Sequence, residues 1–151
     1  MQEAVKNPRL TGLFVSLQMS TGNTDNHYYE DYSGFQLLMS YTTSFDSALL
    51  EQAIRKFDYI QPEDYKYVRA ISYYGKAIAY AYYQTGDGFS EAYKWLKRLM
   101  DISIYIGTDR PVFIKELQTE ARHLQQDIIE WDKELNPYTY YLRSIRDWLR
   151  E

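Results

Sequence analysis

Residues 79–102 read AYAYYQTGDGFSEAYKWLKRLMDI, and this stretch predicts two antiparallel helices joined by a tight turn. The triplet Gly86-Asp87-Gly88 interrupts the helical pattern, and Gly86 can supply the left-handed backbone that ends a helix. Ser90 is positioned to cap the second helix, which Gly107 is expected to end. The inner face of that helix is predicted to carry Ala92, Leu96, Leu99 and Ile106.

The first helix of this hairpin is predicted to be the central helix of the fold. It is expected to open at Pro62, Glu63 and Asp64, because proline is tolerated in a first turn and carboxylates there complement the helix dipole. It should end near Thr85. Small or apolar residues surround much of it, which indicates neighbours on several sides. They are Val68, Ala70, Ile71, Tyr74, Gly75, Ala77, Ile78, Ala81 and Tyr82.

Three segments are predicted upstream of the central helix. Residues 8–20 should form a short helix, residues 20–31 a polar loop, and residues 32–41 another helix. Ser44 or Asp46 is a candidate cap for the helix that follows. The apolar stripe of that helix is expected at Leu50, Ala53, Phe57 and Ile60.

Two helices are predicted downstream, over residues 108–151. The first should start at Thr108 or Asp109 with Pro111, and Asn136-Pro137 should stop it. Its apolar stripe keeps a strict alternation of four and three, at Ile114, Leu117, Ala121, Leu124, Ile128, Trp131 and Leu135. The last helix is expected to bury Tyr138, Leu142, Ile145 and Leu149. Because no segment has the pattern of a strand, we expect one all-α domain over residues 1–151.

The composition favours an interaction module over a nucleic-acid or membrane protein. A net charge of −4 with both signs interspersed argues against binding to phosphate backbones. No segment approaches the roughly 18 apolar residues of a membrane-spanning helix. The absence of cysteine excludes disulfides and thiolate nucleophiles, and we expect a cytoplasmic location. Seventeen tyrosines against six phenylalanines suit half-exposed aromatic surfaces.

The segment from Ala79 to Ile102 resembles a tetratricopeptide repeat. Ala79 occupies the small position where paired helices cross, Tyr82-Tyr83 the aromatic pair, Gly86-Asp87 the turn, and Glu91-Ala92 the start of the second helix. A partial second match upstream involves Ala53, Phe57, Ile60 and Pro62, at a spacing longer than the family's period of about 34 residues. The resemblance implies a right-handed array of antiparallel hairpins over residues 32–107. The N-terminal helix and the C-terminal pair would then cap it.

The resemblance also implies a function, since the first helix of each hairpin in this family lines a groove that holds a peptide or a partner's helix. The groove positions would be Tyr73, Lys76, Tyr80, Tyr83 and Gln84. We therefore expect a non-catalytic adaptor or scaffold that binds a protein or peptide, either through this tyrosine-lined face or by its C-terminal helices. Two alternatives stay open. In one, the tyrosines only pack under neighbouring helices; in the other, the stripe from Ile114 to Leu135 pairs with a second copy as a structural homodimer.

The sequence contains fragments of metal sites, but it has no complete set of metal ligands or catalytic residues. Glu120-x-x-His123, beside Glu116 and Asp127, has the spacing of di-iron helical bundles, but a second such motif is missing. The other histidine, His27, lies in the predicted loop with Asp25, Glu30 and Asp31, without the spacing of a calcium loop. Serine and threonine nucleophiles lack a base. We expect no metal, no cofactor and no enzyme activity.

The last helix also carries a basic stripe that could meet an acidic partner. Arg143, Arg146 and Arg150 form the stripe, and Asp147 and Glu151 interrupt it. A solvated face is the simpler interpretation of this pattern.

Overall fold

The computed structural model of the protein describes residues 28–150, which form six helices and no strands. The prediction of an all-α chain is confirmed for these residues. The helices are α1 (Tyr28–Ser44), α2 (Ser47–Phe57), α3 (Lys66–Tyr82), α4 (Gly86–Met100), α5 (Pro111–Leu135) and α6 (Pro137–Arg150). The helix predicted over residues 8–20, most of the predicted polar loop, and His27 lie outside the described residues. Over the described range, none of the helices has the length and apolar character needed to cross a membrane.

Helix α3 is the centre of the described fold, as predicted. Each helix packs on the next along the chain, and α3 also contacts α1 and α5. Residues all round α3 are therefore buried, and they include the large side chains of Tyr67, Ile71 and Tyr74. Alanines at positions 70, 77, 79 and 81 are buried as well. These small side chains let neighbouring helices approach α3 closely from several sides.

The ring of Phe57 is clamped between two glycines on different helices. It projects from the end of α2 against Gly34 of α1 and Gly75 of α3, and it is fully buried. A Cβ atom added at either glycine would lie within 3.0 Å of the ring. Phe35 meets the same ring edge-on, with centroids 5.3 Å apart. The two glycines thus make room for the aromatic side chain that joins α1, α2 and α3.

Three predicted helix boundaries upstream differ from the structure. Helix α1 begins at Tyr28, so residues 28–31 are helical rather than part of a loop. Of the two candidate caps, Asp46 rather than Ser44 caps α2, because its carboxylate accepts the Ala48 N–H at 3.0 Å. Helix α2 ends at Phe57, so Ile60, the last residue of the predicted stripe, lies beyond it. Helix α3 begins at Lys66 rather than Pro62. The carboxylate of Asp64 instead accepts the Gln61 N–H at 2.6 Å and holds a separate turn.

The turn between α3 and α4 is tight, as predicted, but other residues form it. Thr85 is the N-cap of α4, and its hydroxyl accepts the Gly88 N–H at 3.0 Å. The left-handed residue is Gln84, with φ of 57°. Gly88 is needed for another reason: an added Cβ would lie 2.6 Å from the Tyr80 carbonyl oxygen. The expectations that Gly86 ends α3 and that Ser90 caps α4 were therefore wrong.

Helix α4 ends earlier than predicted, at Met100, and Ile106 is fully exposed rather than buried. The segment over residues 101–110 is held from both sides. The side-chain amide of Gln118 in α5 donates to the carbonyls of Leu99 and Ile102 at 3.1 and 3.0 Å. The Lys66 ammonium donates to the Ser103 carbonyl at 2.7 Å. The side chain from α5 thus donates to carbonyls at the end of α4 and just beyond it, where the helix itself supplies few donors.

The two C-terminal helices differ in how they use their apolar faces. The first five residues of the predicted α5 stripe are buried, at Ile114, Leu117, Ala121, Leu124 and Ile128. Trp131 and Leu135, at the end of the stripe, are partly buried against the core. The prediction for α6 was wrong. Its apolar side chains at Tyr138, Tyr141, Leu142, Ile145 and Leu149 are exposed by 44 to 77%. Tyr140, on the other side of α6, lies under Lys133 of α5 at 5.6 Å. The stripe of α6 therefore turns away from α5.

Candidate functional site

A groove of about 580 Å³ opens between α2 and the turn that joins α3 to α4. The half-buried rings of Tyr80 and Tyr83 form part of its wall. These residues are three positions apart at the end of α3, so their side chains project from the same side. The full lining comprises Glu51, Ile54, Arg55, Tyr80, Tyr83, Thr85, Asp87, Gly88 and Glu91. Neither α5 nor α6 contributes a residue to this lining.

Backbone features of the turn bring the two tyrosines and α4 together. Gly88 passes so close to the Tyr80 carbonyl that a side chain would not fit, and the Thr85 cap fixes where α4 begins. The first turn of α4 therefore lies directly beside the end of α3. Asp87, in that turn, reaches the groove as a result.

Both groove tyrosines are held in the neutral form. Burial raises the pKa of Tyr80 above its usual value of 10.0, and the carboxylates of Glu91 and Asp58 raise it further. The pKa of Tyr83 is raised by burial and then by Glu51. Each hydroxyl can therefore donate one hydrogen bond and accept others at neutral pH. The groove combines apolar ring area with directional polar groups.

The other three predicted groove residues lie elsewhere. Lys76 is only 8% exposed, and its ammonium pairs with the Asp58 carboxylate at 2.5 Å and lies 3.9 Å from the centre of the Trp95 ring. Tyr73 packs on the same tryptophan, with centroids 5.6 Å apart. The carbonyl of Gln84 accepts the Asn136 side-chain N–H at 3.2 Å. The structure thus brings together Tyr80 and Tyr83, while the remaining three make intramolecular contacts.

Residues from α2 and α4 that line the groove were absent from the sequence-based set. Glu51, Ile54 and Arg55 lie beside the buried stripe of Leu50, Ala53 and Phe57 on α2. The one available signal was their i, i+3 and i, i+4 spacing, which places them on a common face. That spacing does not indicate which neighbouring helix the face will meet.

Asp31 is the most unusual titratable group outside the groove. It is fully buried in α1, and neither carboxylate oxygen has a hydrogen-bond partner among residues 28–150. Burial raises its pKa well above the usual value, the carboxylates of Asp64 and Glu30 raise it further, and Lys76 opposes them. A protonated carboxyl fits this buried site best, because burial and the neighbouring carboxylates both disfavour the charged form.

The described part of the chain contains no group of three or more His, Asp or Glu side chains arranged to hold a metal ion. Glu120 and His123 both lie on α5, and His123 is exposed. No protein-family model matches the chain, and neither the curated proteins nor the solved structures include a match to it.

Proposed function

We propose that this protein is a non-catalytic adaptor or scaffold module that binds a protein or peptide segment in the groove beside Tyr80 and Tyr83. The observation that carries the proposal is that both rings line a groove that α5 and α6 leave open. Ligand pockets commonly fall in the range of about 300–1,000 Å³. Tyrosine rings supply contact area at low entropic cost, and their hydroxyls fix the register of a bound segment.

We also propose that the helices form a tetratricopeptide-like array of hairpins, and the helix packing supports this. Helix α3 contacts α1 and α5 as well as its sequence neighbours, as expected if the first helices of successive hairpins adjoin one another. In one respect the groove departs from the family pattern. Its walls include α2 and α4, the second helices of their hairpins, whereas the family's groove is lined by first helices. The binding proposal therefore rests on the groove residues themselves.

The test is selection from a library of random peptides, followed by binding measurements on purified variants. Tyr80→Ala with Tyr83→Ala should weaken the selected peptides at least about tenfold, since each ring is expected to contribute about 1 kcal/mol or more. The matched control is Tyr29→Ala with Tyr93→Ala, two exposed tyrosines outside the groove. Circular dichroism establishes that each variant is folded. Equal binding by the two double variants would overturn the assignment of the groove.

A second candidate function is self-association through α6, and the exposed apolar stripe favours it. The α5 stripe is unavailable to a second copy because its own chain buries it against α3 and α4. Tyrosine side chains carry about 150–250 Å² each, so Tyr138 and Tyr141, exposed by 77% and 69%, offer roughly 300 Å². The partly exposed Leu142, Ile145 and Leu149 bring the apolar area to roughly 500 Å². Two copies together would bury roughly 1,000 Å², near the lower bound of specific interfaces.

Light scattering at micromolar concentration tests this second candidate. We expect a dimer that Leu142→Glu with Ile145→Glu converts to a monomer, because the charges would have to be buried in the interface. A wild-type monomer would remove the candidate. Peptide binding in the groove would be unaffected by that result, so the two functions are tested separately.

A further inference from the structure

The groove beside Tyr80 and Tyr83 carries an excess of negative charge. Three of its lining side chains are carboxylates, from Glu51, Asp87 and Glu91, and one is a cation, Arg55. Asp87 makes no ion pair within residues 28–150. The groove therefore has a carboxylate available without breaking an existing contact.

The other two carboxylates, those of Glu51 and Glu91, form only weak ion pairs with neighbouring cations. Glu51 pairs with Arg55 at 3.8 Å and Glu91 with Lys94 at 3.4 Å, and the side chains of both pairs are largely exposed. Exposed pairs of this kind contribute at most about 1 kcal/mol and exchange readily. An incoming cation can replace Arg55 or Lys94 at little cost.

The rings of Tyr80 and Tyr83 also favour a positively charged group on the ligand. The face of a tyrosine ring attracts an ammonium or guanidinium group, and a neighbouring carboxylate strengthens that attraction. A site that holds a cation between a carboxylate and an aromatic ring already exists within the protein, one helical turn before Tyr80. There the ammonium of Lys76 lies between the Asp58 carboxylate and the Trp95 ring, at 2.5 Å from an oxygen and 3.9 Å from the ring centre.

We propose that the segment bound beside Tyr80 and Tyr83 is basic, and that a lysine or arginine side chain anchors it between the two rings and the carboxylates of Asp87 and Glu91. This inference rests on the proposed function, because it names the chemistry of the peptide. An acidic or phosphorylated segment would be repelled by the same carboxylates. Electrostatic attraction also predicts that binding weakens as salt is added.

The experiment uses the full chain and the random-peptide library, with two neutralised variants. Asp87→Asn with Glu91→Gln removes two charges from the groove, and Glu63→Gln with Glu134→Gln removes two charges elsewhere. The peptides that wild type selects should be enriched in lysine and arginine. Their affinity should fall about tenfold in the groove variant, fall less in the control, and fall again when the anchoring cation is replaced by glutamine.

The outcomes separate this inference from the proposed function. Peptides that require Tyr80 and Tyr83 but show no excess of lysine or arginine would overturn the basic-segment inference and leave the groove in place. Equal losses in the two neutralised variants would overturn it as well, since net charge alone would then explain the effect. If the selected peptides bind the Tyr80→Ala, Tyr83→Ala variant as tightly as wild type, both the assignment of the groove as the binding site and the basic-segment inference are overturned.

Discussion

Replacing Gly75 with alanine should destabilise the protein, although alanine is the better helix former. The change gains up to about 1 kcal/mol of helix propensity. Against this, the new Cβ would lie within 3.0 Å of the Phe57 ring. That ring is fully buried, and Gly34 and Phe35 confine it from other directions. Because the ring has no free space to enter, overpacking should cost the upper part of the usual range of about 1–3 kcal/mol.

The expected net result is a loss of about 1–2 kcal/mol in the free energy of unfolding. Urea denaturation followed by circular dichroism measures it, with an unchanged m-value showing that the unfolded state is unaffected. Phe57→Leu supplies the control background, because the smaller side chain leaves space for the methyl group. In that background Gly75→Ala should cost at least about 1 kcal/mol less, giving a coupling energy typical of residues in contact.

Two results would refute the conclusion that Gly34 and Gly75 are needed to make room for the Phe57 ring. One is a Gly75→Ala variant at least as stable as wild type. The other is an equal cost of Gly75→Ala in the wild-type chain and in the Phe57→Leu background, which would place the strain elsewhere.

Three further perturbations have defined outcomes. Because burial and nearby carboxylates raise the pKa of Asp31, the folded state holds its proton more tightly than the unfolded state. Stability should therefore fall as pH rises above about 4, by up to about 1.4 kcal/mol per pH unit until the folded pKa is passed. Asp31→Asn should flatten this slope in urea titrations, and parallel slopes would contradict it. Thr85→Ala should cost about 1 kcal/mol by removing the N-cap, with Thr85→Ser retaining most of the stability in thermal melts. Gln118→Ala should cost about 1–2 kcal/mol and speed amide hydrogen exchange at the end of α4; unchanged exchange there would be the opposing result.

Apolar periodicity predicted most of the helices and the buried face of α5. The stripe from Ile114 to Ile128 is unambiguous, because its spacing admits one buried face. Helix ends were harder to predict, since several residues near each end could serve as a cap. Thr85 and Ser90 are both good N-caps by residue type. The contact of Gly88 with the Tyr80 carbonyl places the start of α4 at the earlier position.

The apolar stripe of α6 shows a different limit of sequence patterns. Leu142 and Ile145 recur at the spacing of a buried face, yet both are exposed. Amphipathic periodicity indicates that a helix has an apolar side, but it carries no information on whether that side meets its own chain or another molecule.

The candidate site could be predicted only in part for a related reason. The resemblance to a tetratricopeptide repeat implied Tyr80 and Tyr83 as groove residues of the central helix, and it implied Lys76 and Tyr73 as well. Lys76 and Tyr73 do not line the groove, because Trp95 of α4 packs against both side chains. Which side chains a neighbouring helix covers depends on how the two helices cross, and residue spacing within one helix does not specify that crossing.

The most direct test of the proposed function is mapping a selected peptide onto the protein by backbone amide chemical shifts. Residues around the groove, such as Glu51, Tyr80, Tyr83 and Asp87, should shift on titration, while the exposed stripe of α6 should not. Shifts concentrated on α6, or spread evenly over the surface, would contradict a binding groove between α2 and the turn that joins α3 to α4.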